Sequence, residues 1–168
     1  MFKGLFKERR RAMAVYRLAD PDTTAEPALD RVVDAAAAAF VAPIAAISLI
    51  HDDQQRIKAH RGLAIGAIAR GTGFCRFALD RTSAFECCDS WADPGFATLP
   101  SVIGRPHIRY YMGAPLRLLN GIDVGALCVI DTVPRPPASA DQVACLLALA
   151  RQASRVLEAG SDIWSDAA

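Results

Sequence analysis

HIRYYMGAPLRLLNGIDVGALCVIDT, residues 107–132, decides the fold. Two long runs of aliphatic, aromatic and β-branched residues flank Asn120-Gly121. Asn-Gly is the strongest local signal for the tight turn that joins two antiparallel strands. The stretch therefore reads as an antiparallel hairpin. An earlier stretch repeats the pattern. Pro43 opens IAAISLIHD, a buried strand, and QRIKAHRG returns after the short HDDQQ turn. AFECCDS, residues 84–90, reads as a further short strand.

Helices bracket these hairpins. In TTAEPALDRVVDAAAAAF, Leu29, Val32, Val33, Ala36 and Phe40 recur at helical spacing, and Pro27 is tolerated in the first turn. Ser139 with Gln142 forms a capping box for a last helix with Val143, Leu146, Leu147, Ala150, Ala153 and Leu157 on one stripe and Gly160 as its terminator. The first segment places Phe2, Leu5, Phe6, Met13 and Tyr16 on an amphipathic helix ending near Asp20-Pro21. Between the hairpins, GLAIGAIARGTG is a Gly-rich connection into GFCRFALD, a small helix with Thr72 as N-cap. WADPGFATLPSVIGRP is a long loop with one helical turn near Pro100, and a loop of that length is more often functional than idle. The order gives an α+β protein. A central antiparallel sheet carries helices on both sides, with the terminal helices packed on one face. Residues 1–20 form the amphipathic helix, 21–160 the domain proper and 161–168 a tail.

The chain has 168 residues, about one domain, and a formal net charge of +1, which gives no general attraction to nucleic acid. Lys3, Lys7, Arg9, Arg10, Arg11 and Arg17 concentrate at the start, read as the solvated face of a helix and not as a membrane-surface contact. Pro43 divides the longest apolar run, which excludes a span of about 20 residues. Five cysteines without a CxxC pair fit a reducing cytoplasm better than a disulfide scaffold. Dinucleotide, P-loop, nucleophile-elbow and zincin motifs are absent, as are solenoid repeats.

PIAAISLIHDDQQRIKAHRGL, RGTGFCRFAL, DSWADPGF, GRPHIRYYMGAPL and GALCVIDTVPR, in this order and spacing, resemble the motifs of a GAF domain. The branch is that of bacterial sensor kinases and cyclic-dinucleotide-synthesising receptors. The resemblance runs from Ala25 to Leu157. It implies helices that pair in dimers on one side of the sheet and a small-molecule or chromophore pocket on the other. The family includes cyclic-nucleotide receptors, bilin photoreceptors, haem and iron sensors and free methionine sulfoxide reductases, so it names no cofactor. Arg56-Ile57 stand where the branch has Trp-Phe, Leu99-Pro100 where it has Asn-Pro, and Gly95 where it has arginine. These departures fall around the pocket. The expected function is a bacterial, cytoplasmic, non-enzymatic sensory or regulatory module that binds a small molecule. It pairs as a homodimer through its terminal helices and acts on a signalling partner protein, with no output domain of its own. A redox enzyme using Cys75 or Cys87, of the sulfoxide reductase type, is the alternative, and a ligand-free dimerisation scaffold is a third.

The pocket is expected at Phe74, Cys75, Asp89, Trp91, Phe96, His107, Arg109 and Tyr111. A period of two puts His107, Arg109 and Tyr111 on one strand face beneath the WADPGF loop. There they either bind an anionic or heteroaromatic ligand, or Arg109 pairs with Asp89 or Asp93 while Tyr111 anchors the core through its hydroxyl. Cys75 shares an apolar arc with Phe74, Phe77, Ala78 and Leu79, opposite an Arg76–Asp80 pair, and reads as packing. A bilin-attachment cysteine would carry a neighbouring histidine, and Arg76 stands there instead. Cys128 reads as core, Asp131 as the cap of the following turn, and His51 and His60 as surface residues without a metal site.

Overall fold

The structure, a computed structural model, describes residues 2–18, 26–63 and 66–165. Its centre is a six-stranded sheet in the order β3-β2-β1-β6-β5-β4. β1 (Ile44–His51) and β2 (Gln54–Arg61) form the first hairpin, and β5 (Tyr110–Arg117) and β6 (Asp123–Asp131) the second. β1 pairs with β6, so the two hairpins join edge to edge and every neighbour is antiparallel. Gly121, at φ +80, turns the second hairpin. β3 (Ala67–Ala69) and β4 (Phe85–Cys87) close the edges. β3 lies in the stretch read as a Gly-rich connection; three residues are too few to show alternation.

Alternation along the central strands sends side chains into two separate cores. Ala45, Ile47 and Leu49 of β1, Tyr110, Met112, Ala114 and Leu116 of β5, and Leu127 and Val129 of β6 face one layer of helices. That layer holds α1 (Phe2–Leu18), α2 (Pro27–Phe40) and α4 (Ala140–Ser165). α2 starts with Pro27 in its first turn and buries the stripe read from its spacing. Its last carbonyls are met by Val41 N–H and Ala42 N–H, with Val41 left-handed at φ 46. α4 begins at the Ser139–Gln142 capping box, in which each side chain bonds the other's backbone N–H. It runs through Gly160 to Ser165, because a single glycine weakens a helix by about 1 kcal/mol without ending it.

α1 inverts the expected face. Arg11, Ala12 and Val15 point inward, while Leu5, Phe6, Met13 and Tyr16 are exposed. The guanidinium decides this. A buried arginine needs acceptors for its donors. Arg11 Nε donates to the Asp123 carbonyl at 2.7 Å, one terminal nitrogen to Glu8, and the other to Asp80 at 3.1 Å. Arg11 therefore belongs to the core and not to the solvated basic face.

The other sheet face carries Ile44, Ala46, Ile50, Tyr111, Ala126, Cys128 and Ile130. It is covered by 3-10 turns at Arg70–Thr72 and Cys75–Ala78, by α3 (Pro100–Ile103) and by the intervening loops. This second layer positions the site.

Candidate functional site

Between the sheet and the Gly73–Cys75 wall lies a cavity of about 70 Å³. Ala46, Ser48, Gln55, Ile57, Cys128 and Ile130 form its floor, and Leu63, Ile68, Ser101, Pro106 and Ile108 complete its rim with Phe74 and Tyr111. Of the eight residues expected at the pocket, Phe74, Cys75 and Tyr111 line it. Asp89, Trp91, Phe96, His107 and Arg109 do not.

The misplacement of His107 and Arg109 has a backbone cause. His107 sits at φ 60, outside the extended region, and β5 begins only at Tyr110. The period of two therefore starts three residues later than assumed, and Ile108, not Arg109, joins Tyr111 in the pocket-side core. His107 is exposed. Arg109 donates to the carbonyls of Val102 and Ile108 at 3.1 and 2.9 Å and lies over the exposed Trp91 ring at 4.8 Å. Neither expected carboxylate pairs with it: Asp89 accepts from the Trp91 and Ala92 N–H groups, and Asp93 from Gly95 N–H. Phe96 stacks on Phe74 at 5.2 Å, behind the wall, in an aromatic cluster with Phe77 and Phe85.

The wall around Cys75 is a 3-10 turn preceded by Phe74, and Thr72 caps nothing there. The Thr72 hydroxyl donates back to the Ala69 carbonyl instead. Asp80 does not pair with Arg76. It takes Lys7 at 2.8 Å and Arg11 from α1, while its own N–H donates to Asp123. The pocket wall is thus fastened at its end to the first helix. His51 is also corrected: it is buried, 5.0 Å from the Tyr16 ring. His60 is exposed as expected. Asp131 accepts from Thr132 and Val133 N–H as a turn cap and additionally holds Arg135.

The polar groups of the cavity are few and uncharged. Cys75 and Cys128 bring their sulfurs to 4.0 Å, and Cys75 also lies 3.5 Å from Ser48 Oγ. The Cys128 thiol, hydrogen-bonded to Cys75, ionises well above its ordinary range, and burial adds to this. The Cys75 thiol is lowered below its ordinary range by hydrogen bonding, from Cys128 first and then from Tyr111, Ser48 and Gln55, although burial opposes the loss of its proton. Burial pushes Tyr111 up as well. The Tyr111 ring crosses Gly113, where any side chain would collide with its hydroxyl. Gln55 Nε2 donates to Ser48 Oγ at 3.2 Å. Among the described residues, Gln55 Oε1 and the Tyr111 hydroxyl have no hydrogen-bond partner of ordinary geometry, although both side chains interact with the Cys75 thiol. Gln55 escaped the sequence reading because a glutamine at a hairpin start normally faces water.

The profile described as GAF domain matches residues 24–157. The chain belongs to the GAF family. This GAF domain is 38% identical over 144 residues to a cyclic di-GMP phosphodiesterase of Pseudomonas aeruginosa. That match takes in 86% of the chain but only 24% of the relative, so the chain spans about a quarter of it. Among solved structures, the GAF domain of an Acinetobacter phosphoenolpyruvate-protein phosphotransferase superposes with a TM-score of 0.68 at 20% identity, covering 96% of both chains. The blue-light-absorbing PixJ GAF domain of Thermosynechococcus elongatus reaches 0.65 at 14%, covering 83% of this chain and 88% of its own. A free methionine-R-sulfoxide reductase of Neisseria meningitidis reaches 0.63 at 20%, covering 80% and 78%. At these identities the three structures establish the shared fold. The fold and the motif order are those of a GAF domain of signalling proteins.

Proposed function

We propose that this GAF domain is a cytoplasmic, small-molecule-sensing module that regulates a signalling protein without catalysing a reaction itself. The carrying observation is the partly enclosed cavity on the sheet face opposite the helices, whose wall ends at Asp80 in an ion pair with α1. A ligand that shifts the Gly73–Cys75 wall changes the geometry of Asp80 and so the seating of α1. Ligand binding at one end and helix position at the other then share one free energy of coupling. The exposed apolar side of α1 supports self-association through the terminal helices, with a partner protein receiving the signal. Among the described residues, no helix is long and apolar enough to cross a membrane. The direct test is a fragment screen by protein NMR, in which a cavity ligand is expected to move resonances at Ser48 and Cys75 and also those of α1. Asp80→Asn should keep the first set of shifts and lose the second. Cavity binding that never reaches α1 would refute the regulatory part.

The 4.0 Å thiol pair supports a second reading, a cysteine-dependent redox enzyme. Hydrogen bonds lower the Cys75 thiol, but activation for attack also calls for a cation or an acid–base partner, and among the described residues no charged side chain lines this cavity. Cys87, the other candidate, is pushed up to about 11 chiefly by burial, which suits packing and not attack. Turnover of free methionine sulfoxide that disappears in Cys75→Ser would reverse the order of the two readings.

A further inference from the structure

Two features of the cavity restrict what can occupy it. Among the described residues, none that lines it is Asp, Glu, Lys, Arg or His. An entering carboxylate, phosphate or ammonium would lose its hydration with no opposite charge to replace it, which is strongly unfavourable. Second, Gln55 and Tyr111 are 4% and 0% exposed, yet among the described residues Gln55 Oε1 and the Tyr111 hydroxyl have no hydrogen-bond partner of ordinary geometry, although both side chains interact with the Cys75 thiol. Buried polar atoms are nearly always satisfied, so unpaired ones at a cavity mark positions for an incoming group. Gln55 Nε2 donates to Ser48 Oγ at 3.2 Å, which leaves Oε1 as the unpaired end. That unpaired end is an acceptor, and the Tyr111 hydroxyl can donate.

Resting on the sensing function proposed above, we infer that the pocket takes a compact, uncharged organic molecule with an N–H or O–H for Gln55 Oε1 and an acceptor oxygen for Tyr111, its remainder apolar. Volume sets the scale. At about 70 Å³ the space is roughly half of the ~150 Å³ cavity that takes up benzene. It therefore fits a small amide, lactam or hydroxyketone without opening. It does not fit a cyclic nucleotide, which brings phosphate as well as bulk.

Three near-isosteric probes of about five heavy atoms separate these terms: propionamide, butanone, which lacks the donor, and propionate, which carries charge. A molecule this small binds at best weakly, roughly in the millimolar range, so NMR titration is the method. Propionamide should shift the Gln55 side-chain amide and the Tyr111 ring and bind at least about tenfold more tightly than either isostere. Gln55→Leu should erase its advantage over butanone. Tyr111→Phe should weaken propionamide about tenfold while leaving the thermal midpoint of the unliganded protein unchanged or higher, because no protein hydrogen bond of ordinary geometry is lost. A lowered midpoint in Tyr111→Phe would mean that the hydroxyl is structural and would overturn the inference. Equal binding of butanone or propionate, or cavity binding of a cyclic nucleotide, would overturn the ligand class but leave a sensing pocket. If no member of a mixed set of neutral, anionic and cationic fragments shifts the cavity resonances, the two polar atoms serve water only and both proposals fall.

Discussion

Val41 is 86% exposed and left-handed at φ 46, a conformation that a β-branched residue adopts only under constraint. It occupies the helix-ending position that usually belongs to glycine. Val41→Gly relieves the clash at little packing cost, and should stabilise the domain by about 1 kcal/mol, raising the thermal midpoint by roughly 2–4 °C. A lower midpoint would show that the Val41 side chain has a packing role. Cys75→Ser should be mild, about 1–2 kcal/mol, since the smaller hydroxyl still finds Ser48 Oγ and the Cys128 thiol nearby. Chemical denaturation measures that loss, and a value above about 4 kcal/mol would mean that the sulfur fills space no hydroxyl can. At this scale the sequence was legible where a residue's chemistry and its burial agree. Phe74, Cys75 and Tyr111 are apolar or aromatic and fall where expected. Gln55 was hidden because its burial depends on the Gly73 turn folding over it, a contact no local pattern announces. Arg11 was hidden for a similar reason: its acceptors, Asp80 and the Asp123 carbonyl, lie far away along the chain.

Single side chains join several elements here. Arg135 donates to the Phe40 and Val41 carbonyls, satisfying the open end of α2, and is held by Asp131 at the end of β6. Its positive charge also suits a helix C-terminus. Arg135→Ala should cost about 1–3 kcal/mol and speed hydrogen exchange in the last turn of α2 before other helices respond. Uniform acceleration would argue against this local role. The seating of α1 is sensitive to acid. The Arg70 hydrogen bond holds Glu8 below its ordinary 4.5 against burial, with Arg11 assisting. Burial raises Asp80, but Lys7 and Arg11 outweigh it and keep it below its ordinary 3.8. Carboxyls lowered by folding contribute stability above their unfolded values and lose it as pH falls through the folded ones. Stability should therefore fall below about pH 4.5 more steeply in wild type than in Glu8→Gln, as thermal midpoints across pH 3–6 would record. Equal slopes would remove Glu8 from the account. Elements with a long period were legible: α2, α4 and both hairpins. The three-residue β3 and the inward side of α1 were not, because one is shorter than any repeat and the other is chosen by a polar side chain.

At the scale of the molecule, the outer side of α1 leaves Leu5, Phe6 and Met13 more than half exposed. An apolar patch of this kind is uncommon on a soluble monomer. Leu147, half-buried on α4, is the matching position on the last helix, whereas Leu157 is spent in the core and Phe2 carries no described side chain. Two-fold pairing would bury the same patch twice. Phe6→Lys and Leu147→Lys should each give folded monomers by sedimentation, while Arg76→Ala stays dimeric. A wild type that is monomeric over a wide concentration range would refute the pairing. A sheet with helices on one side and a pocket on the other was legible from the resemblance to GAF motifs, and what escaped was which face of α1 looks outward. The edges of the sheet carry a further consequence. β3 and β4, the outermost strands, are three residues each. At either strand a docking foreign segment would find a ladder of only three residues, so β3 and β4 themselves are poor templates for fibril-like growth while the protein remains folded.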